Sequence, residues 1–249
     1  MTPHIVPGIF VTGTDTGVGK TYVTACIARA LRQSGLRVGV YKPVASGCVL
    51  RDGQWISEDA IALWEAAGRQ GSLEAVCPQL FAAPLAPPLA AAAEGRAVDA
   101  ELLRAGLRYW VERADLVLVE GAGGLMSPVT DGEFVADLAY DFGFPLLVVA
   151  ANALGVINQT LQTLITAATF RDGLDIAGII LNHPRPVRTD DLSVATNRSE
   201  LQRRCVPSVL AELAWQAEEF EEAIPWATLA RAGRPRRNAG RPASVLHRN

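Results

Sequence analysis

A glycine-rich stretch near the start of the chain has the residue types of a phosphate-binding loop. The segment Gly13-Thr-Asp-Thr-Gly-Val-Gly-Lys-Thr21 follows a short apolar run and precedes a helical pattern. Glycines let backbone N–H groups turn toward phosphate oxygens, and the N-terminus of the next helix adds partial positive charge. The Lys20 ammonium can reach the β- and γ-phosphates, and the Thr21 hydroxyl can hold Mg²⁺. The first glycine falls one residue early, with Thr14 in its usual place, but the segment still predicts a nucleoside triphosphate site.

Two carboxylates are candidates to hold the Mg²⁺ that such a nucleotide brings. Glu120 ends the apolar run Leu116–Val119 and precedes the glycine-rich segment Gly121–Gly124. A carboxylate at the end of a buried parallel strand faces the crevice where ligands bind, and it can bind Mg²⁺ there. Asp59 opens a predicted helix, where an acid is also typical of a first turn that complements the helix dipole.

Only two of the 23 basic residues are lysines, Lys20 and Lys42. This choice predicts sites that need a compact ammonium rather than the wide planar fork of arginine. Lys42 ends a predicted strand, where it can neutralise charge developing on a transferring phosphoryl group. A lysine at a strand end is also often a surface residue. Ser46 and Gly47 follow closely and are placed to contact a second substrate.

The elements that must position these residues follow an alternating pattern. Continuous apolar runs predict strands at Ile9–Thr12, Val38–Lys42, Leu116–Glu120, Leu146–Ala150 and Ile176–Leu181. Helices are predicted at Lys20–Gln33 with Gly35 as its cap, Glu58–Ala67, Ala100–Glu112, Val135–Asp141 and Ile157–Phe170. The segment Ala82–Ala93 is predicted to be a loop because its prolines break helices. The pattern indicates a single α/β domain, a mostly parallel sheet with helices on both faces.

Composition sets the limits on function classes. The chain has 249 residues, 49% hydrophobic and 20% charged, which excludes disorder as a description of the whole. Residues 231–249 contain six arginines and no acid, whereas residues 1–230 carry 17 basic and 26 acidic side chains. We therefore expect a domain over 1–230 and a basic, poorly ordered tail over 231–249, for which a weak polyanion contact is the alternative. The acidic body argues against nucleic-acid and membrane partners.

The spacing of the cysteines and the length of the apolar runs indicate the cellular compartment of the protein. The four cysteines are scattered without metal-ligand spacing, so structural zinc and a disulfide framework are not expected. The first residues lack the basic and apolar regions of a signal peptide. The longest apolar stretch, Phe144–Ala151, is too short to span a bilayer. We expect a cytoplasmic protein.

Six segments together resemble the dethiobiotin synthetase family. The six segments are Val11–Thr21, Tyr41–Gly47, Asp59-Ala60, Val119–Gly124, Leu154–Asn158 and Gly178–Asn182. A later segment, Val209–Trp215, resembles the family in part, so that the resemblance covers residues 9–215 in order. The resemblance implies a P-loop fold with a parallel sheet of about seven strands, acting as a homodimer with active sites at the interface. It implies an ATP-dependent ligase that converts 7,8-diaminononanoate and CO2 to dethiobiotin, ADP and phosphate, through a carbamate and a carbamic–phosphoric anhydride.

The resemblance also implies a role for individual residues. Lys42, Lys20 and Thr16 are expected to be catalytic, with Thr16 beside the carbamate. Thr21, Asp59 and Glu120 are expected to bind Mg²⁺. The nucleotide site is expected to comprise Gly17, Val18, Gly19, Lys20, Thr21, Tyr22, Asp59, Glu120, Gly121, Ala122, Gly123, Asn182, Leu213, Ala214 and Trp215, with Asn182 reading adenine. The diamine site is expected to comprise Ser46 and Gly124, with Val156, Ile157 and Asn158 of the partner subunit receiving the distant carboxylate.

The chain departs from this family pattern in three places. His183 follows Asn182 where an acidic residue is common, and Ala211 and Ala214 replace a glycine and a proline of the late segment. In the family, that segment helps hold the purine. The resemblance therefore predicts the reaction more closely than it predicts which nucleotide the chain selects. The third departure is the arginine-rich tail, which has no counterpart in the family pattern.

Three other functions remain as alternatives. A ParA/MinD-like switch ATPase shares the fold, but it carries a lysine where this loop has Asp15. A cobyrinate-type amidoligase would need a glutaminase domain or partner. A binding-only descendant would have lost turnover, which the retained Lys20, Lys42, Thr21, Asp59 and Glu120 argue against.

Overall fold

The computed structural model describes residues 6–187 and 191–232. The strands are β1 (Pro7–Gly13), β2 (Val38–Tyr41), β3 (Val49–Arg51), β4 (Gln54–Ile56), β5 (Leu116–Gly124), β6 (Pro128–Thr130), β7 (Glu133–Phe134), β8 (Leu146–Ala151), β9 (Ile176–Asn182), β10 (Val209–Leu213) and β11 (Arg231–Ala232). The helices are α1 (Lys20–Gln33), α2 (Glu58–Ala66), α3 (Leu73–Val76), α4 (Pro87–Ala93), α5 (Ala100–Ala105), α6 (Leu107–Val111), α7 (Val135–Phe142), α8 (Val156–Thr169), α9 (Val194–Arg204) and α10 (Trp226–Leu229).

The central sheet is mostly parallel, as the sequence predicted. Its strands lie in the order β10-β9-β8-β1-β5-β2, and all neighbours along this path are parallel. The seventh strand is the two-residue β11, which pairs antiparallel with the start of β1. The basic tail, predicted to be poorly ordered over residues 231–249, therefore begins with the strand β11. Residues 233–249, the rest of that prediction, lie outside the described residues.

The centre of the sheet is covered on both faces. In β1 the consecutive residues Ile9, Phe10 and Val11 are fully buried. Because neighbouring side chains of a strand point to opposite faces, burial of all three requires packing on both sides. The parallel order then brings the carboxyl ends of β1, β2, β5, β8, β9 and β10 to one edge of the sheet, which we name the carboxyl edge.

Two predictions of local structure were wrong. The helix predicted over Ala100–Glu112 is interrupted at Gly106, because the Tyr41 hydroxyl lies within hydrogen-bond distance of the Leu102 and Leu103 carbonyl oxygens. A Cβ on Gly106 would stand 2.4 Å from that hydroxyl. The predicted loop Ala82–Ala93 contains α4, which starts at Pro87. Proline is compatible with the first turn of a helix because its missing N–H has no partner there.

Within the described part of the chain, no helix combines the length and the apolar character that crossing a membrane requires.

Candidate active site

A cavity of about 1060 Å³ lies at the carboxyl edge. It brings together segments that are more than a hundred residues apart in the sequence. The predicted site residues that line it are Thr16, Gly17, Gly19, Lys20, Thr21, Tyr22, Lys42, Ser46, Asp59, Glu120, Ala122, Gly123, Asn182 and Trp215. We name the part around Lys20, Lys42, Asp59 and Glu120 the lysine end, and the part around Asn182, His183, Pro184, Trp215 and Gln216 the asparagine end.

The other predicted site residues do not border this cavity. Val18, Gly121 and Leu213 are buried next to residues that do, while Gly124 and Ala214 are at least partly accessible. The three residues expected to serve a partner subunit, Val156, Ile157 and Asn158, form the N-terminus of α8.

The glycine-rich loop depends on backbone conformations that favour glycine. Gly19 precedes α1 with a φ of 89°, in the left-handed region. A Cβ there would lie 2.1 Å from Asn182 Nδ2, so the loop and the end of β9 meet only because residue 19 has no side chain. Gly17 adopts a similar φ of 76°. The loop is thereby shaped by its glycines and held against β9.

Lys20 lies buried beneath the loop it belongs to. Its Nζ donates to the Asp15 carbonyl oxygen at 3.0 Å, which closes the loop around the side chain. Burial lowers the pKa of Lys20 below its ordinary 10.5, and the nearby Glu120 carboxylate opposes this shift. A partly desolvated ammonium interacts more strongly with an incoming phosphate than an exposed one would.

Lys42 forms the centre of a buried charge cluster. Its Nζ lies 2.6 Å from Glu120 Oε1 and 3.0 Å from Asp59 Oδ2. The side chains of Lys42 and Glu120 are 5% and 0% exposed, whereas that of Asp59 is 52% exposed. Burial alone would lower the pKa of Lys42, yet the two carboxylates hold it well above its ordinary range. Lys42 is therefore a permanent positive charge on the cavity wall.

Asp59 is held as a carboxylate by the same cluster. Burial alone would raise its pKa, but the Lys42 ammonium and hydrogen bonds from Lys42 and Thr21 keep it below the ordinary 3.8. The acid that opens α2 is thus directed to the cavity, while the helix itself is capped by the Ser57 side chain. The sequence left both interpretations open, and the contacts favour the functional one.

The lysine end has oxygen donors of the kind that Mg²⁺ prefers. The Thr21 hydroxyl donates to Glu120 Oε1 at 2.8 Å, beside the Asp59 carboxylate. Glu120 Oε2 is buried without a hydrogen-bond partner among the described residues. No group of three or more His, Cys, Asp or Glu side chains able to hold a metal occurs in residues 6–187 and 191–232. Two carboxylates and a hydroxyl suit Mg²⁺, which usually completes its shell with water and substrate phosphates.

The amide of Asn182 defines the asparagine end. Asn182 Nδ2 donates to the Val18 carbonyl oxygen at 2.8 Å. Because a carbonyl oxygen only accepts, this contact fixes which amide atom faces the loop. Asn182 Oδ1 is buried and has no partner in the part of the chain that the structure describes. Trp215 is partly exposed on the same end of the cavity and offers an aromatic surface.

The sequence analysis missed a further part of the wall. Ala25, Arg29 and Arg32 line the cavity along the face of α1 that also carries the predicted Tyr22. Their spacing of three and four residues is the helical period, which would have placed them beside Tyr22. The cavity also includes residues of α2 and of the segments that follow β2, β9 and β10, namely Val44, Ala45, Glu58, Ala62, Glu65, Ala66, His183, Pro184 and Gln216.

Comparison with known proteins agrees with this geometry. A family model described as an AAA domain matches residues 7–221. The chain is 49% identical over 212 residues to an ATP-dependent dethiobiotin synthetase BioD of Rhodopirellula baltica, covering 80% of this chain and 81% of the relative. It is 47% identical over 211 residues to the protein of the same name from Anaeromyxobacter dehalogenans, covering 85% and 91%. The chain belongs to the dethiobiotin synthetase family.

Solved structures support the fold assignment. A ParA family ATPase from Chlorobium tepidum matches with a TM-score of 0.52 at 16% identity, covering 86% of each chain. The signal recognition particle receptor FtsY of Elizabethkingia anophelis in complex with GDP matches with a TM-score of 0.50 at 18% identity, over 86% of this chain and 58% of that one. At these identities the likeness concerns the fold alone, and the P-loop arrangement predicted from the sequence is confirmed. The names of the two relatives describe an ATP-dependent enzyme, which fits the nucleotide loop of this synthetase-family chain.

Proposed function

We propose that this chain converts 7,8-diaminononanoate, CO2 and ATP to dethiobiotin, ADP and phosphate. The observation that carries the proposal is the position of Lys42. Its ammonium projects from the end of β2 into the cavity of the phosphate loop and is kept charged by two carboxylates. A reaction between two anions, a carbamate and a triphosphate, needs such a fixed positive charge.

The reaction proceeds in three bond-forming steps. One amine of the diamine adds to CO2 and loses a proton, which gives a carbamate. A carbamate oxygen attacks the γ-phosphorus, ADP leaves, and a carbamic–phosphoric anhydride forms. The second amine attacks the anhydride carbonyl, loses its proton and expels phosphate, which closes the cyclic urea.

The chain's own residues bind and orient the triphosphate. Backbone N–H groups of Gly17–Tyr22 cradle the phosphates, and Lys20 holds their negative charge from below the loop. Lys42 stabilises the charge that develops on the transferred phosphoryl group, with Thr16 beside the carbamate. Thr16 and Lys42 line the same cavity, which supports this placement.

Thr21, Asp59 and Glu120 are proposed as the residues that would hold the Mg²⁺ brought by the nucleotide. When bound, it would neutralise phosphate charge and orient the γ-phosphate for attack. The orphaned Glu120 Oε2 supports this assignment. Before any metal binds, the ammonium groups of Lys42 and Lys20 together offset the charges of these two carboxylates.

The nucleotide base is proposed to lie at the asparagine end. The free Asn182 Oδ1 accepts a hydrogen bond from an exocyclic amino group, which adenine provides and guanine does not at the corresponding position. Leu213, Ala214 and Trp215 flank the base, while Gly121, Ala122 and Gly123 pass close to the nucleotide. Val18 contributes its backbone to the loop and its carbonyl oxygen to the orientation of Asn182.

The diamine is proposed to bind between two subunits. Ser46 and Gly124 contact its amine-bearing part. The backbone of Val156, Ile157 and Asn158 at the N-terminus of the partner's α8 receives its carboxylate, because a helix N-terminus attracts anions. Leu154 before α8 and Ile165 within it are exposed apolar side chains, 87% and 62% accessible, which supports a contact between copies at this helix.

Four free cysteines fit our proposal of a cytoplasmic enzyme.

The test is phosphate release by the purified protein with MgATP and bicarbonate, with and without 7,8-diaminononanoate, followed by mass spectrometry of the product. We expect phosphate release that requires the diamine and matches dethiobiotin one to one. Phosphate release that ignores the diamine would overturn the proposal and indicate a switch ATPase. The absence of both phosphate and product at saturating substrates would overturn it in favour of a binding-only protein.

A further inference from the structure

Four polar side chains form a network behind the asparagine end. Asn152 follows the last residue of β8, His183 follows the last residue of β9, Glu212 belongs to β10, and Asn197 lies on α9. Asn152, His183 and Asn197 are buried, and Glu212 is partly exposed. The network therefore joins the ends of three neighbouring strands and one helix.

The hydrogen bonds of the network link Asn197 to Asn152, and both Asn152 and His183 to Glu212. Asn197 Nδ2 donates to Asn152 Oδ1 at 2.8 Å, and Asn152 Nδ2 donates to Glu212 Oε1 at 2.7 Å. His183 Nε2 lies 2.5 Å from the same carboxylate oxygen. We assign the Nε2–H tautomer to His183, in which the ring donates to this carboxylate oxygen. Two donors from two strands thus converge on one oxygen of β10.

The backbone couples this network to the cavity. The Asn152 N–H donates to the Asn182 carbonyl oxygen at 2.8 Å, and the His183 N–H donates to the Leu213 carbonyl oxygen at 2.9 Å. Asn182 and Leu213 are also partners in the β9–β10 register. His183 itself lines the cavity together with Asn182 and Trp215. A shift of the imidazole would therefore move both sides of the asparagine end.

We propose that His183 is a positioning residue that sets the spacing between Asn182 and Trp215, and through it the choice of nucleotide base. Its imidazole holds β10 against the end of β9 through Glu212. The ligand class is a nucleoside triphosphate whose base carries an exocyclic amino group at the position where adenine has one and guanine has a carbonyl oxygen. The inference rests on the proposed function and deepens it, because it concerns how the same cavity selects its nucleotide.

A purely structural role would have different consequences. If His183 only stabilised the fold, its loss would lower the melting temperature and weaken all nucleotides alike. A positioning role predicts a specific loss of ATP affinity and of preference for ATP over GTP. At saturating ATP the turnover rate stays unchanged, because Lys42 and the phosphate loop are untouched.

The matched pair of variants is His183→Gln and His183→Asn. The Gln amide nitrogen stands near the position of Nε2 and reaches Glu212, whereas the Asn amide is one methylene shorter and does not. Isothermal titration of MgATP and MgGTP measures both affinities. We expect H183Q to bind MgATP within about threefold of the wild type, and H183N to bind it about tenfold more weakly, as loss of a charged hydrogen bond implies.

Controls separate the possible outcomes. Arg171→Ala breaks an ion pair with Asp137 that does not border the cavity, and it reports the effect of general destabilisation. Wild-type affinity and selectivity in H183N, equal losses in H183N and H183Q, or the same loss in R171A would each overturn the inference. If H183N does not fold, Glu212→Gln, which keeps an acceptor oxygen, should still bind MgATP about tenfold more tightly than Glu212→Ala. A wild-type protein that binds no MgATP would contradict the proposed function instead.

Discussion

The two ends of the cavity differ in the kind of interaction that they offer to a ligand. At the lysine end, Lys20, Lys42, Asp59 and Glu120 form a compact cluster of formal charges, partly or fully removed from water. At the asparagine end, Asn182 offers a single free amide oxygen and Trp215 an aromatic surface. The charges of the lysine end attract the phosphates of any nucleoside triphosphate. The oriented amide oxygen of Asn182, by contrast, can distinguish one base from another. The comparison implies that chemistry and nucleotide choice are carried by separate parts of the molecule.

The largest expected effect comes from the centre of the charge cluster. Lys42→Ala should lower dethiobiotin formation by about 10³-fold while MgATP affinity stays within a few-fold, because developing charge loses its partner. Mass spectrometry of the product and calorimetry of MgATP measure the two quantities. Lys42→Arg should fail almost as badly, since the planar fork does not fit between Glu120 and Asp59. An equal loss of nucleotide binding would make Lys42 a phosphate anchor, and near-normal turnover of K42R would contradict the argument from its compactness.

Removing the buried carboxylate should change the metal requirement. Glu120→Gln removes the charge of a side chain that is fully buried and leaves Lys42 with Asp59 alone. We expect the Mg²⁺ concentration for half-maximal activity to rise by about tenfold or more. A magnesium titration at fixed ATP measures this. An unchanged midpoint in E120Q would show that the oxygen is not a ligand, and Glu65→Gln, on another part of the wall, serves as the matched control.

A change at the asparagine end should leave the chemistry intact. Asn182→Ala removes both the acceptor in the cavity and the donor to the Val18 carbonyl oxygen. We expect KM for ATP to rise by about tenfold and the preference over GTP to fall, with kcat unchanged. Steady-state kinetics with both nucleotides measures this split. A fall in kcat at unchanged KM would contradict the separation of the two ends.

The smallest expected effect is a pH dependence of binding. Because burial lowers the pKa of Lys20, its ammonium loses its proton at a lower pH than an ordinary lysine does. The pKa of Lys42 is shifted the other way, so Lys42 stays charged over the same range. MgATP affinity should therefore decline by a few-fold as the pH rises toward 10.5, the ordinary lysine value. Calorimetry across this range measures the decline, and in K20R, whose guanidinium stays charged, it should vanish.

The lysine end could be predicted from the sequence because its signals are local. The phosphate loop is one contiguous segment, Lys42 directly follows the apolar strand β2, and Glu120 directly follows the apolar residues with which β5 begins. Fold class follows from the same strands. The interruption of the helix at Gly106 could not be predicted from the local sequence, because it is caused by Tyr41, a residue of another element.

The asparagine end could be predicted only in part. Asn182 was found through the resemblance. The network around His183 was not, because its other members, Asn152, Asn197 and Glu212, come from three separate segments that no local sequence pattern links. The edge strand β10 alternates buried and partly exposed residues over five positions, so it lacks the continuous apolar run that identified the central strands. Long-range side-chain contacts of this kind become visible only when the topology is known.

The separation of chemistry from nucleotide choice is tested most directly by exchanging the nucleotide rather than the protein. The measurement is dethiobiotin formation by the wild-type protein over a full titration of MgATP and of MgGTP, at saturating diamine and bicarbonate. We predict the same kcat with both nucleotides and a KM about tenfold or more higher for GTP, because the asparagine end distinguishes the bases and the lysine end does not. Equal KM values with a lower kcat for GTP would contradict the account, since the base would then act on the chemical step.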